Sequence, residues 1–185
     1  MRLALLARPG DAVGADRLGA VGALMEGHGT SVGAVARIAA FLRGIGIEVE
    51  PADLGDGKFL PGVAVDRGRL LVDEARLTWP GDLLHEAAHV AVAPPEARPH
   101  MTGDVAVEGV DMDRLEKAAI PWSYAAALAI GIDPAIVLHE GGYRGKSEGL
   151  LRTFGFGVYP GANLLVDAGM TTPELYPRML RWLRE

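Results

Sequence analysis

Between Pro80 and the Pro94-Pro95 pair the chain reads Gly81-Asp82-Leu83-Leu84-His85-Glu86-Ala87-Ala88-His89-Val90-Ala91-Val92-Ala93. Pro80 suits a first helical turn, and Asp82 can cap or complement the N-terminal dipole. The paired prolines stop the helix at Ala93. Leu83, Leu84, Ala87, Ala88, Val90, Ala91 and Val92 surround the polar residues, so this helix is predicted to be buried on most sides. An unpartnered polar group in such a place costs roughly 2–7 kcal/mol. Whatever the fold, something must come up against His85, Glu86 and His89 to satisfy them.

A metal ion is the most economical partner. Residues four apart on a helix lie one above the other, with Cβ atoms roughly 5–6 Å apart. His85 and His89 can therefore turn both rings toward one ion, with Zn–N distances of about 2.0–2.1 Å. Glu86 lies beside His85 and need not be a ligand. It is placed to hold water at the ion's open position and take its proton, the general-base role that H-E-x-x-H serves in metallohydrolases. The competing reading is a cluster of core histidines satisfied by hydrogen bonds alone.

Catalytic zinc sites use three protein ligands plus water. The extended pattern H-E-x-x-H-x-x-G-x-x-H is absent, since Val92 and Pro95 stand where its Gly and last His belong. The third ligand must come from farther along. Glu116 is favoured, because Leu115, Ala118, Ala119 and Ile120 place it on a helix packed against the core, where a ligand is held more rigidly than on a loop. His100, Asp104, Glu108, Asp111, Asp113, His139 and Glu140 remain formally available. An oxyanion donor is sought among Tyr124, Tyr143, Arg144, His100 and His139, with Tyr143-Arg144 in its glycine-flanked turn the most suggestive.

At 185 residues the chain is long enough for one domain with a sizeable core. We expect a single domain over 1–185, with its core at about 31–131 and a C-terminal elaboration at about 132–185. The net charge of -6 argues against a general nucleic-acid binder. The absence of cysteine excludes disulfides and thiolate metal ligation. Leu3–Ala7 is too short for a signal-peptide core, and no stretch is apolar enough to span a membrane. The expectation is a cytoplasmic protein.

The remaining chain predicts an α+β order. A short helix is expected near Ala15–Met25, and Gly27-His28-Gly29 reads as a turn, with His28 on the surface. A helix capped at Thr30 or Ser31 runs to about Arg43 and ends at Gly44. Ile45–Glu50 reads as a strand, and Pro61–Val65 with Leu70–Asp73 as a hairpin around Asp66-Arg67-Gly68-Arg69. A second long helix starts near Asp111–Asp113, is kinked or broken by Pro121, and resumes over Trp122–Ile130. Short helices are expected at Ala135–His139 and Ser147–Phe154, with a connecting loop at Gly155–Gly161. Thr172-Pro173-Glu174 should open a final helix to the C-terminus. Trp79, Trp122 and Trp182 are assigned to packing.

Phe41-Leu42-Arg43-Gly44-Ile45-Gly46-Ile47, the hairpin, the H-E-x-x-H helix, Glu116-Lys117-Ala118-Ala119 and Tyr124-Ala125-Ala126-Ala127-Leu128 together resemble the ImmA/IrrE-type zincin-like metallopeptidases over about residues 35–130. The resemblance implies a zincin-like fold in which the hairpin precedes the motif helix and the next helix supplies a glutamate ligand, here Glu116. It implies Zn2+ as cofactor and a peptide or protein as substrate. The chain departs from the pattern at Pro121, carries no helix-turn-helix, and continues through 131–185 without a counterpart. A rival of another class is a non-catalytic zincin-like regulator whose metal is structural and fully ligated, with His139 or Glu140 completing the set.

Overall fold

A computed structural model describes residues 33–55, 60–103 and 107–185. The chain divides into two compact units, Met1–Gly33 and Ala34–Glu185, with the sheet and the candidate site in the second. The expected helix near Ala15–Met25, the turn at Gly27–Gly29 with His28, the N-cap at Thr30 or Ser31, and Asp104 lie outside the described residues.

Helix α1 occupies 33–44. It ends at Gly44, as expected, and the stop is completed beyond it: Gly46 takes the left-handed conformation (φ 94°), and Ile47 N–H closes back on the Leu42 carbonyl at 2.9 Å. That turn consumes the first half of the expected strand, so β1 covers only Val49–Pro51. Strands β2 (Val63–Asp66) and β3 (Arg69–Val72) form the expected hairpin. Arg67 and Gly68 both have positive φ, as a two-residue hairpin turn requires. β3 is central, antiparallel to β2 and parallel to β1, and pairs Val63 with Val72 and Val65 with Leu70 on the buried face.

Helix α2 (Pro80–Val92) lies in the middle of the unit, touching β2, β3, α3 (Met112–Ile130) and α4 (Pro134–Val137). Nine of its 13 residues are buried, and its small Ala87, Ala88 and Ala91 allow the Ala-rich α3 to pack beside it. The carbonyls at its C-terminal end are met by the Arg98 guanidinium, through Val90 O (3.1 Å) and Ala93 O (3.3 Å), and by Arg184 N–H on Ala91 O (2.9 Å).

Pro121 does not break α3. It removes the helical donor to Lys117 O, and Gly161 approaches that carbonyl so closely that a Cβ would lie 2.1 Å from it. The Tyr176 hydroxyl donates to Pro121 O (2.8 Å), bracing the same turn. Asp111 caps the start of α3 by accepting from Arg114 N–H, and left-handed Gly131 ends it.

After α4 come a 3-10 turn at Tyr143–Gly145, α5 (Ser147–Gly155) and α6 (Ala162–Asp167). Helix α6 is not among the elements expected from the sequence. The expected final helix does not form: Thr172 opens only one turn, to Leu175 and Tyr176, because Pro177 brings neither a donor nor a helical predecessor. The tail instead hangs Leu180 N–H on Met170 O (2.9 Å) and packs Trp182 edge-on against Phe41 and Trp122. The architecture is α+β, and no helix among the described residues is long and apolar enough to cross a membrane.

Gly81 sets the spacing of α2 and α4, since a Cβ there would stand 2.0 Å from Ile136 O and 2.6 Å from the Val137 Cα. Gly81→Ala should cost about 2 kcal/mol or more through backbone displacement. Gly149→Ala, on α5 with open space at its Cβ, should be neutral or gain up to about 1 kcal/mol. Urea unfolding midpoints of the two variants check the contrast.

Candidate metal centre

α2 presents His85 and His89 one turn apart, their rings at 87° with centroids 4.8 Å apart. α3 brings Glu116 to the same point. Among the described residues these three form a group able to hold a metal ion. His85 Nε2 and His89 Nε2 are 3.2 Å apart, and Glu116 Oε2 lies 3.2 Å from His89 Nε2 and 3.6 Å from His85 Nε2. Ligands at about 2.0–2.1 Å around a tetrahedral ion are about 3.3 Å from one another, so the triangle already has the edge such an ion needs. Two imidazole nitrogens facing one carboxylate oxygen at these distances require a shared proton or cation between them. The N, N, O donor set suits zinc, and other divalent metals as well.

Exposure is uneven. The histidine side chains are 14% exposed and Glu116 is 52% exposed, so the triangle is walled by apolar helix on one side and reached by solvent on the other. Hydrogen bonds from His85 and His89 hold the Glu116 carboxyl well below the usual carboxylate range. For His89, burial pushes the imidazole down, but the Glu116 hydrogen bond and the charges of Glu86 and Glu116 outweigh it and leave it raised. Half-buried Glu86 thus makes itself felt at the centre without being a member of the triangle.

Behind His85 stands Tyr143, its hydroxyl 3.2 Å from Nδ1. With Nε2 turned to a metal, Nδ1–H donates to that oxygen, fixing the tautomer and ring orientation. Burial, and then the charges of Glu116, Asp82 and Glu86, push the Tyr143 hydroxyl upward, so it stays protonated. Its backbone is left-handed, as is that of Arg144 (φ 53° and 54°), a conformation costing non-glycine residues roughly 1–2 kcal/mol each. Arg144 itself is exposed. His89 Nδ1, by contrast, is buried with no hydrogen-bond partner among the described residues.

The other candidates lie elsewhere. His139 is buried and joined through Nε2 to Asp82 Oδ1 at 2.8 Å, away from the triangle. Asp82 therefore sits in the first turn as expected, but its carboxylate serves His139 rather than the helix N-terminus. Asp111 caps α3, and His100, Glu108, Asp113 and Glu140 are exposed. The Ser123 hydroxyl of α3 donates to Ala119 O at 2.8 Å. Tyr124 joins an aromatic cluster with Phe154 and Tyr159. The Asp82–His139 pair, with Trp79 stacked on its imidazole at 4.5 Å and 9°, is the feature that sequence reasoning missed. Its only sequence signal is an aspartate inside an otherwise apolar helix.

No protein-family model, curated protein or solved structure matches the chain.

Zinc titrated into metal-free protein should bind one equivalent, with binding lost in His85→Ala and weakened at least about tenfold in Glu116→Gln. The ion must displace the proton His89 retains, so affinity should fall as pH drops through that raised value. Equal affinity at about pH 8 and about pH 6 would contradict this linkage.

Proposed function

We propose that this protein is a zinc-dependent metallohydrolase acting on peptide bonds, built on a zincin-like plan of the ImmA/IrrE kind. The observation that carries the reading is the triangle of His85, His89 and Glu116, with the Glu86 carboxylate next to His85 on the same helix. Three protein donors with a solvent-facing side favour a catalytic centre over a structural one. The engagement of His139 with Asp82 and the exposure of Glu140 speak against either as the fourth ligand a structural site would need.

A divalent ion held by the triangle would polarise the scissile carbonyl and make water at its open position more acidic. Glu86 takes one proton from the attacking water as its oxygen bonds to the carbonyl carbon. It then delivers that proton to the departing nitrogen as the C–N bond breaks. Glu116, kept ionised by the two histidines, would hold the ion together with them. His85 is held in its ligating orientation by Tyr143, and Arg144, exposed beside it, offers donors to substrate oxygens. With no cysteine to call for an oxidising compartment, we place the protein in the cytoplasm.

Glu86→Gln should keep zinc at the wild-type level and lose roughly 100- to 10,000-fold in turnover of a mixed quenched-fluorescent peptide library. Turnover that survives in this variant would remove Glu86 as the base. Turnover indifferent to a chelator would remove the metal.

A further inference from the structure

Asp82 lies one turn before His85 on α2, and His139 follows α4. The two meet across the Gly81 contact, burying an aspartate and a histidine that are neither ligands nor part of the hydrolytic step. His139 donates through Nε2–H to Asp82, and its Nδ1 is buried without a partner among the described residues. A polar ring left bare on one nitrogen is costly inside a protein, and such exceptions call for a reason. The ring's surroundings supply one.

One face of the imidazole is stacked on Trp79, and Gly141 fits against that indole so tightly that a Cβ would lie 2.7 Å from Nε1. Gly142 follows and lies close against the imidazole, since a Cβ there would stand 3.2 Å from His139 Cε1. Tyr143 comes next, its ring 6.5 Å from that of His139 and 5.6 Å from that of His85. The Ser147 hydroxyl closes the segment by donating to His139 O, with Gly142 O also within 3.4 Å. The stretch from His139 to Ser147 is thus a tied loop whose fixed point is the Asp82-bound imidazole and whose product is the left-handed placement of Tyr143.

We propose that the Asp82–His139 pair is a positioning unit for the metal centre: by fixing the 139–147 loop against α2 it holds the Tyr143 hydroxyl on Nδ1 of His85. The inference rests on the metal-centre reading above. His139 and Asp82 are positioning residues, and they act on the ion only through Tyr143.

The test is zinc affinity, measured by competition with a chromophoric chelator at one pH, for wild type, Tyr143→Phe, His139→Ala, Asp82→Asn and the Tyr143→Phe/His139→Ala double variant. Tyr143→Phe should weaken zinc roughly 10- to 100-fold, the usual cost of losing an outer partner of a ligand histidine. His139→Ala and Asp82→Asn should weaken it in the same direction. The double variant should bind no more weakly than Tyr143→Phe alone, because the effect of His139 has no other route. Losses that multiply in the double variant would overturn the proposal, as would wild-type affinity in a folded His139→Ala. If His139→Ala does not fold by circular dichroism, Asp82→Asn with and without Tyr143→Phe carries the same comparison. A wild type that takes up no zinc would bring down the metal centre itself, a different failure from a wild type that binds zinc independently of His139.

Discussion

Two imidazole nitrogens 3.2 Å apart, carried on a helix with nine of its 13 residues buried, set the terms for everything around them. Apolar neighbours cannot satisfy them, and a single water-filled gap would break the core that buries the rest of α2. The solution is a second helix brought close enough to lay a carboxylate across both rings. Closeness depends on side-chain size. Ala87, Ala88 and Ala91 on α2, with Ala118, Ala119 and Ala126 on α3, are all buried and leave little between the backbones. Larger residues at these positions would widen the gap and take Glu116 out of reach. The alanine content of the two helices is therefore a geometric requirement of the polar triangle as much as a matter of helix propensity.

Close approach governs the N-terminal turn of α2 as well. Glycines at 81 and 141 let α4 and the following loop approach until a methyl group would not fit. What they admit is a chain of ring contacts, Trp79 stacked on His139, then His139 to Tyr143 and Tyr143 to His85 edge-on. Its polar ends are Asp82 and the metal-facing nitrogen. The C-terminal elaboration contributes at a distance: Gly161 and Tyr176 support the turn of α3 that Pro121 deprives of a donor, and Arg184 helps finish α2.

How much of this is legible in the sequence depends on the range of each interaction. The bounds of α2 are local, set by Pro80 and Pro94-Pro95, and the hairpin turn is local, set by Arg67-Gly68. Glu116 is legible because its apolar neighbours mark it as a carboxylate on a packed helix. Pro121 misleads because α3 continues through it in a turn packed by Gly161 and bonded by Tyr176, residues 40 and 55 positions onward, which no local rule can see. The missing final helix turns on Pro177 and on a tail bonded back to Met170. The Asp82–His139 pair spans 57 residues and depends on a glycine contact between helices, so the sequence shows the aspartate on its apolar helix but not the histidine that meets it.

The centre fixes its two histidines by different means. His85 is oriented by a hydrogen bond behind the ring, donated to a tyrosine that itself sits in a costly backbone conformation. His89 has no such partner among the described residues, and only packing against the buried wall of α2 and α3 restrains its Nδ1 side. A polar restraint specifies the tautomer as well as the direction of the ring, whereas a packing restraint specifies direction alone. The raised basicity of His89 is consistent with that division, since its proton is set by the acids in front of it. His85 is the histidine whose orientation is built into the fold, and the strain of the Tyr143 turn lies on its side of the site.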